Sequence, residues 1–221
     1  MKKKAILFLV FALLCVLISA YPILYYLSPG KFALMNTKSD TLLANLWWQI
    51  GFYTHITFGG IALLIGWTQF WAPWRLKYLV WHRLLGKLYV ISVLLSATAG
   101  FGIGLFATGG WVSAAGFVSL AIFWFATSWN AYLAIRQGDV DRHQRMMLYS
   151  FAATFAAVSL RLWMPLLIAG FGSFLPAYRV VAWLSWVPNV LLAHFYLLPR
   201  LKARALHLQA PTDEENRSAQ R

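Results

Sequence analysis

The sequence predicts an all-α integral membrane protein, with six transmembrane helices in one bundle and both termini cytoplasmic. Three observations predict it. Of the 221 residues, 61% are hydrophobic and 11% charged, against about 45–50% and about 25% in soluble domains. The apolar residues gather into six stretches near the ~20 residues that cross a bilayer as a helix. Lys and Arg fall unevenly between those stretches, as topology signals do.

The first stretch, 5–27, follows Lys2, Lys3 and Lys4. Its opening resembles a secretory signal, but apolarity continues through YPILYYL, past the ~7–15 residues of a signal's apolar region. An uncleaved first helix is expected, ended by SPGK at 28–31. The second, 46–71, ends at APWR (72–75), and the third, 84–107, at TGG (108–110). The fourth, 112–135, ends at RQGD (136–139), and the fifth, 147–169, at GFGSFLP (170–176). The sixth, 179–198, ends at PRLKAR (199–204). Each closing segment carries helix-breaking Gly or Pro, or charge. Residues 1–204 thus form one transmembrane domain, and 205–221 a polar cytoplasmic tail expected to be disordered.

With the N-terminus in the cytoplasm, fifteen of the nineteen Lys and Arg lie on the inner side. Lys31, Lys38 and Arg179 lie outside, and Arg161 lies within the fifth span. That bias sets the orientation. The net charge of +13 is spread in short clusters rather than one patch; the bilayer, not nucleic acid, is the expected partner. Cys15 is the single cysteine, so no intramolecular disulfide forms. The acidic residues Asp40, Asp139, Asp141, Asp213, Glu214 and Glu215 all fall outside the spans, which argues against a pump built on intramembrane carboxylates.

Few polar groups enter the membrane, and such groups mark functional sites. His55, on the second span, lies ~13 Å below its outer end at ~1.5 Å per residue. Arg161, on the fifth, lies at similar depth from the same side. His82, His143 and His194 sit near the inner face. His143 and Arg161 are 18 residues apart, five full turns on one face of a straight helix, ~27 Å along its axis. Pro165 is expected to kink the outer end. His55 is followed four residues later by Gly59, and His82 by Gly86; an i+4 glycine clears space on the histidine's own face.

This pattern suits a haem b held by His82 and His143 as axial ligands, with His194 as a substitute ligand. Gly86 and Gly59 would give clearance, and Arg161 with His55 would form an outer polar site for a propionate or a quinone. Such a protein would carry electrons to a redox partner. Two alternatives stand beside it. One is a non-redox protein of transport, assembly or sensing with structural histidines. The other is a metal-dependent enzyme at the inner face, with zinc on His82, His143 and His194 and Asp139 or Asp141 assisting, although those aspartates also suit helix N-caps. Gly59, Gly60, Gly100, Gly102 and Gly104 suit close helix packing. The pairs Trp47–Trp48, Trp71–Trp74 and Trp183–Trp186 read as interfacial belts.

The blocks HITFGGIALLIGWTQFW, HRLLGKLYVISVLLSATAG, RQGDVDRHQRMMLYSFAATFAAVSLRLWMP and WLSWVPN, in that order, resemble a family of bacterial multi-pass membrane proteins, domain of unknown function 2306. The resemblance runs from His55 to Asn189. It implies a bacterial inner-membrane protein and assigns no activity. A looser likeness, to transmembrane haem b cytochromes, rests on the histidines and helix count. The fourth span carries no histidine, so a second haem has no ligand pair.

Overall fold

A computed structural model describes residues 2–28 and 30–201; the polar tail lies outside them. All regular structure among the described residues is helical. Six helical stretches are long and apolar enough to cross a membrane: Ala5–Leu27, Leu46–Phe70, Leu79–Gly104, Trp111–Arg136, Val140–Phe171 and Phe174–Leu201. Their outer faces expose large apolar side chains, among them Leu7 at 71%, Val80 at 78% and Leu166 at 63%. Lipid, not water, suits such a surface.

Three spans start earlier than hydropathy places them, by five residues in the third, seven in the fifth and five in the sixth. In the fifth the cause is a cap for the first N–H groups, which sets the start regardless of where polarity ends. The Asp139 side chain accepts the Arg142 backbone N–H at 2.9 Å and starts the fifth helix at Val140. Asp141 therefore lies in that helix's first turn, at its end rather than at depth. His82 and His143 likewise fall inside first turns, with backbone N–H groups bonded to Tyr78 and Asp139 carbonyls.

Spans one, five and six are broken. In the first, Tyr21 interrupts the helix ahead of Pro22, which has no N–H to continue the ladder. The sixth breaks at Ser185 and Trp186, ahead of Pro188, and carries a π-turn at Ala193–Leu197. The fifth breaks at Phe155 and then runs through Pro165 to Phe171. His143 and Arg161 therefore do not share one straight helix. No proline or glycine causes this break. Asn189 of the sixth span donates from Nδ2 to the Ala152 carbonyl at 3.3 Å and to Ser185 O at 2.9 Å, while its Oδ1 accepts from Ser159 Oγ at 3.1 Å. An amide from the next helix thus supplies a partner beside the break, as backbone in hydrocarbon requires.

The second span packs along the third, the third on the fourth, and the fourth on the first half of the fifth. Small residues let these and other spans come close. A Cβ on Gly59 would lie 3.1 Å from Ser96 Oγ, one on Gly66 2.6 Å from Phe151, and one on Gly116 2.8 Å from the Ala182 carbonyl oxygen. Gly102 has nothing within 4 Å and faces outward. Cys15, Leu63, Tyr89, Val93, Trp124, Phe151 and Val158 form the main buried cluster. The first span joins it through Phe11, whose ring stacks on Phe155 at 5.5 Å. Gly172 closes the fifth helix in the left-handed region at φ 68°, a conformation that favours glycine.

Candidate functional site

A cavity of about 740 Å³ lies in the half of the bundle away from the basic loops. Its walls combine an apolar body with a few polar groups. The apolar part includes Phe52, Ile103, Phe117, Leu120, Met164 and Phe174; the polar part includes Tyr21, Tyr25, Lys38, Trp48, His55, Arg161, Tyr178 and Ser185. The size falls in the ~300–1,000 Å³ range of small-molecule sites.

His55 is fixed by the third span. Its Nδ1 donates to the Ser96 carbonyl at 2.9 Å, and Ser96 Oγ donates to the His55 carbonyl at 2.8 Å. A carbonyl only accepts, so the ring proton is on Nδ1 and Nε2 keeps a free lone pair. The glycine that makes room for this ring is Gly100. A Cβ there would sit 2.8 Å from His55 Nδ1, whereas Gly59 faces Ser96. The expected clearance by Gly59 is thus filled by a serine.

Arg161 donates from Nη1 to the Ala157 carbonyl at 2.8 Å, and its guanidinium lies over the Tyr21 ring at 4.3 Å. Its Nε is buried without a hydrogen-bond partner. A desolvated cation over an aromatic face gains ~2 kcal/mol, less than the several kcal/mol that an unpaired buried charge costs. Lys38 is also buried in the wall and donates from Nζ to the Phe106 carbonyl; burial holds its ammonium pKa below the ordinary lysine value. Among the described residues, the one ion pair is Lys31–Asp40 at 2.7 Å, outside the cavity, and no carboxylate lines the cavity. Two cations without counter-ions make the cavity positive. Trp48 Nε1 and Ser185 Oγ, both in its wall, also lack partners.

The remaining histidines lie toward the basic end. His143 Nδ1 donates to the Ala131 carbonyl at 2.9 Å, which leaves Nε2 free. His82 Nδ1 is buried without a partner. His194 is engaged elsewhere: its Nδ1 bonds the Tyr149 hydroxyl at 2.6 Å and its ring stacks on Tyr149. Among the described residues no three His, Cys, Asp or Glu groups converge as a metal site, so the three-imidazole zinc arrangement is not assembled. Gly86 opens toward Gln69, whose Oε1 lies 3.8 Å from the position of an added Cβ.

Several wall residues have no signal in the sequence. Trp48 was expected in an interfacial belt, yet it is buried and stacked on Phe52 at 5.1 Å, while Trp47 is 81% exposed. A tryptophan pair at a helix start looks the same whether one member turns inward or not. Tyr21 and Tyr25 read as span continuation, and Lys38 as a loop charge. Ser96 and Gly100 could have been found, because Ser96 continues the spacing of seven from His82 through Tyr89.

No curated protein and no solved structure matches the chain. A family model does match residues 52–197, from just before His55 to just beyond His194, under the description "Predicted membrane protein (DUF2306)". The chain belongs to that family of multi-pass membrane proteins.

Proposed function

We propose that the chain binds an anionic amphiphile, an apolar chain ending in a carboxylate or phosphate, within the cavity of its outer membrane half. The observation that carries this is Arg161: a cation in the cavity wall with Nε unpartnered and no carboxylate beside it. Lys38 adds a second positive charge at the loop end, and Trp48 Nε1 adds a donor. His55 Nε2 supplies the acceptor for a protonated head. A quinone fits the donors but brings no charge to meet Arg161. The basic loops and the family support a bacterial inner membrane, with the basic end in the cytoplasm. The function class proposed is capture or passage of such a molecule.

Trp48 and Trp124 line the cavity, so ligand entry changes their fluorescence. Purified protein in nanodiscs, titrated with dodecyl phosphate, is expected to show a saturable change. Arg161→Gln should weaken binding about tenfold or more, the loss of one hydrogen bond to a charged group. A saturable signal unchanged in Arg161→Gln, or no saturable signal at all, would overturn the proposal.

A second reading, haem b between His82 and His143, has one observation in its favour. His143 is oriented by the Ala131 carbonyl with Nε2 free, and a ligating imidazole is commonly held this way, its other ring N–H given to a carbonyl. Against it, Gly86 is backed by Gln69 rather than open space. Bound haem would supply one-electron chemistry. The spectrum of protein expressed with haem supplied decides this reading: a Soret band that shifts on dithionite reduction supports it, and a featureless spectrum removes it.

A further inference from the structure

Between the cavity and the basic end lies a group of hydroxyls that ligand binding does not use. Tyr89, fully buried on the third span, bonds Ser150 Oγ and Thr154 Oγ1, each at 2.7 Å. Ser150 continues to Ser128 Oγ at 2.6 Å, and Thr154 accepts from Trp124 Nε1 at 2.9 Å. Thr154 and Trp124 are themselves cavity wall. Five polar side chains thus meet in the buried core of the bundle, where Leu, Ala or Phe would pack without cost in desolvation.

The arrangement repeats along the helices. On the third span His82, Tyr89 and Ser96 are seven apart, so they share one face and climb ~10.5 Å per step, ~21 Å in all. His143 and Ser150 on the fifth span keep the same step. Ser96 reaches His55 in the cavity wall. Ser92, fully buried one turn beyond Tyr89, has an unpartnered Oγ. In the step below Tyr89, the buried Gln69 Oε1 lies beside Gly86, and both it and His82 Nδ1 lack partners. Buried polar atoms that no side chain satisfies are the atoms that ordered water bridges. Unpartnered atoms therefore occur at the two places where the hydroxyl chain has a gap to cross.

We infer that this hydroxyl chain is a proton path joining the basic end of the bundle to the cavity. A hydroxyl can donate one proton and accept another at once, so a row of them passes a proton by exchange. One proton enters at the Gln69 and His82 end through water. Ser150, Tyr89 and Thr154, bonded in that order, each hand on the proton they hold and take the next. One proton leaves into the cavity, to His55 Nε2 or to the head of a bound anion. No electron moves, and each hydroxyl regains its starting form. For its outer end the path rests on the cavity reading above.

The test is proton flux into proteoliposomes holding the full chain and a pH-sensitive dye, driven by a potassium gradient with valinomycin. Wild type is expected to conduct above protein-free vesicles. Tyr89→Phe breaks two links at once and should lower the flux about tenfold or more. Ser150→Ala should act in the same direction, and Thr98→Ala, on the exposed side of the same helix, should leave it intact. Thermal melts of each variant separate loss of fold from loss of conduction. Flux equal to empty vesicles, or Tyr89→Phe and Ser150→Ala both folded and conducting like wild type, overturns the inference. Arg161→Gln separates the two proposals: it should weaken dodecyl phosphate binding about tenfold or more and spare the proton flux.

Discussion

Gly100→Ala puts the packing around His55 to a direct test. The added Cβ would fall 2.8 Å from His55 Nδ1 and 3.0 Å from its Cε1, too close to coexist with the ring. The imidazole must move, and its bond to the Ser96 carbonyl goes with it. Overpacking costs about 1–3 kcal/mol, and the lost hydrogen bond adds about 1 kcal/mol. Alanine's better helix propensity returns about 1 kcal/mol, leaving about 1–3 kcal/mol of destabilisation. Gly102→Ala, two residues on, meets nothing within 4 Å and keeps only the helix gain. One substitution on one helix therefore has opposite signs at neighbouring sites. Cys15, the single cysteine and fully buried, reports unfolding through a thiol-reactive fluorophore. For a chain of this size each kcal/mol moves the midpoint by about 2–4 °C, so Gly100→Ala should melt about 2–12 °C lower and Gly102→Ala no lower than wild type. Equal midpoints for the two variants would refute the placement of His55 against Gly100.

Two further outcomes follow from the same structure. Asn189→Ala removes the amide that serves the Ala152 carbonyl and Ser159 beside the break in the fifth span, and should cost about 1–3 kcal/mol in the same melt, with Asn189→Asp not restoring it because a carboxylate cannot donate to a carbonyl. Lys38 has its pKa lowered by burial from 10.5; the unfolded chain then binds the extra proton, so stability rises with pH through the window below 10.5, and Lys38→Met should flatten that rise in a pH series of melts.

Six apolar runs of membrane length made the architecture legible, because the hydrophobic period reports lipid contact directly. Helix starts were less so. Asp139 caps the fifth helix seven residues before hydropathy turns apolar, and this moved His143 from a loop mouth into a helix. Relations between helices were the least visible. Gly59 shares a helix with His55 and drew attention by spacing, but the residue that gives the ring its room is Gly100 on another span. The break at Phe155 has no proline or glycine to announce it and depends on Asn189, 34 positions away in the sequence. Arg161 stood out in the sequence and stands out in the structure for one reason: no acidic side chain comes near it. Tyr89 did not, since a tyrosine within an apolar run reads as core until its two hydroxyl partners on the fifth span are in place.

Selection of an anion through Arg161 is the property on which the proposed function turns. Its most direct measurement compares dodecyl phosphate with dodecanol, in wild type and in Arg161→Gln, by tryptophan fluorescence in nanodiscs. Wild type should prefer the phosphate by about tenfold or more, and the preference should collapse toward one in the variant. Equal affinity for the two in wild type, or a preference that survives in Arg161→Gln, would contradict it.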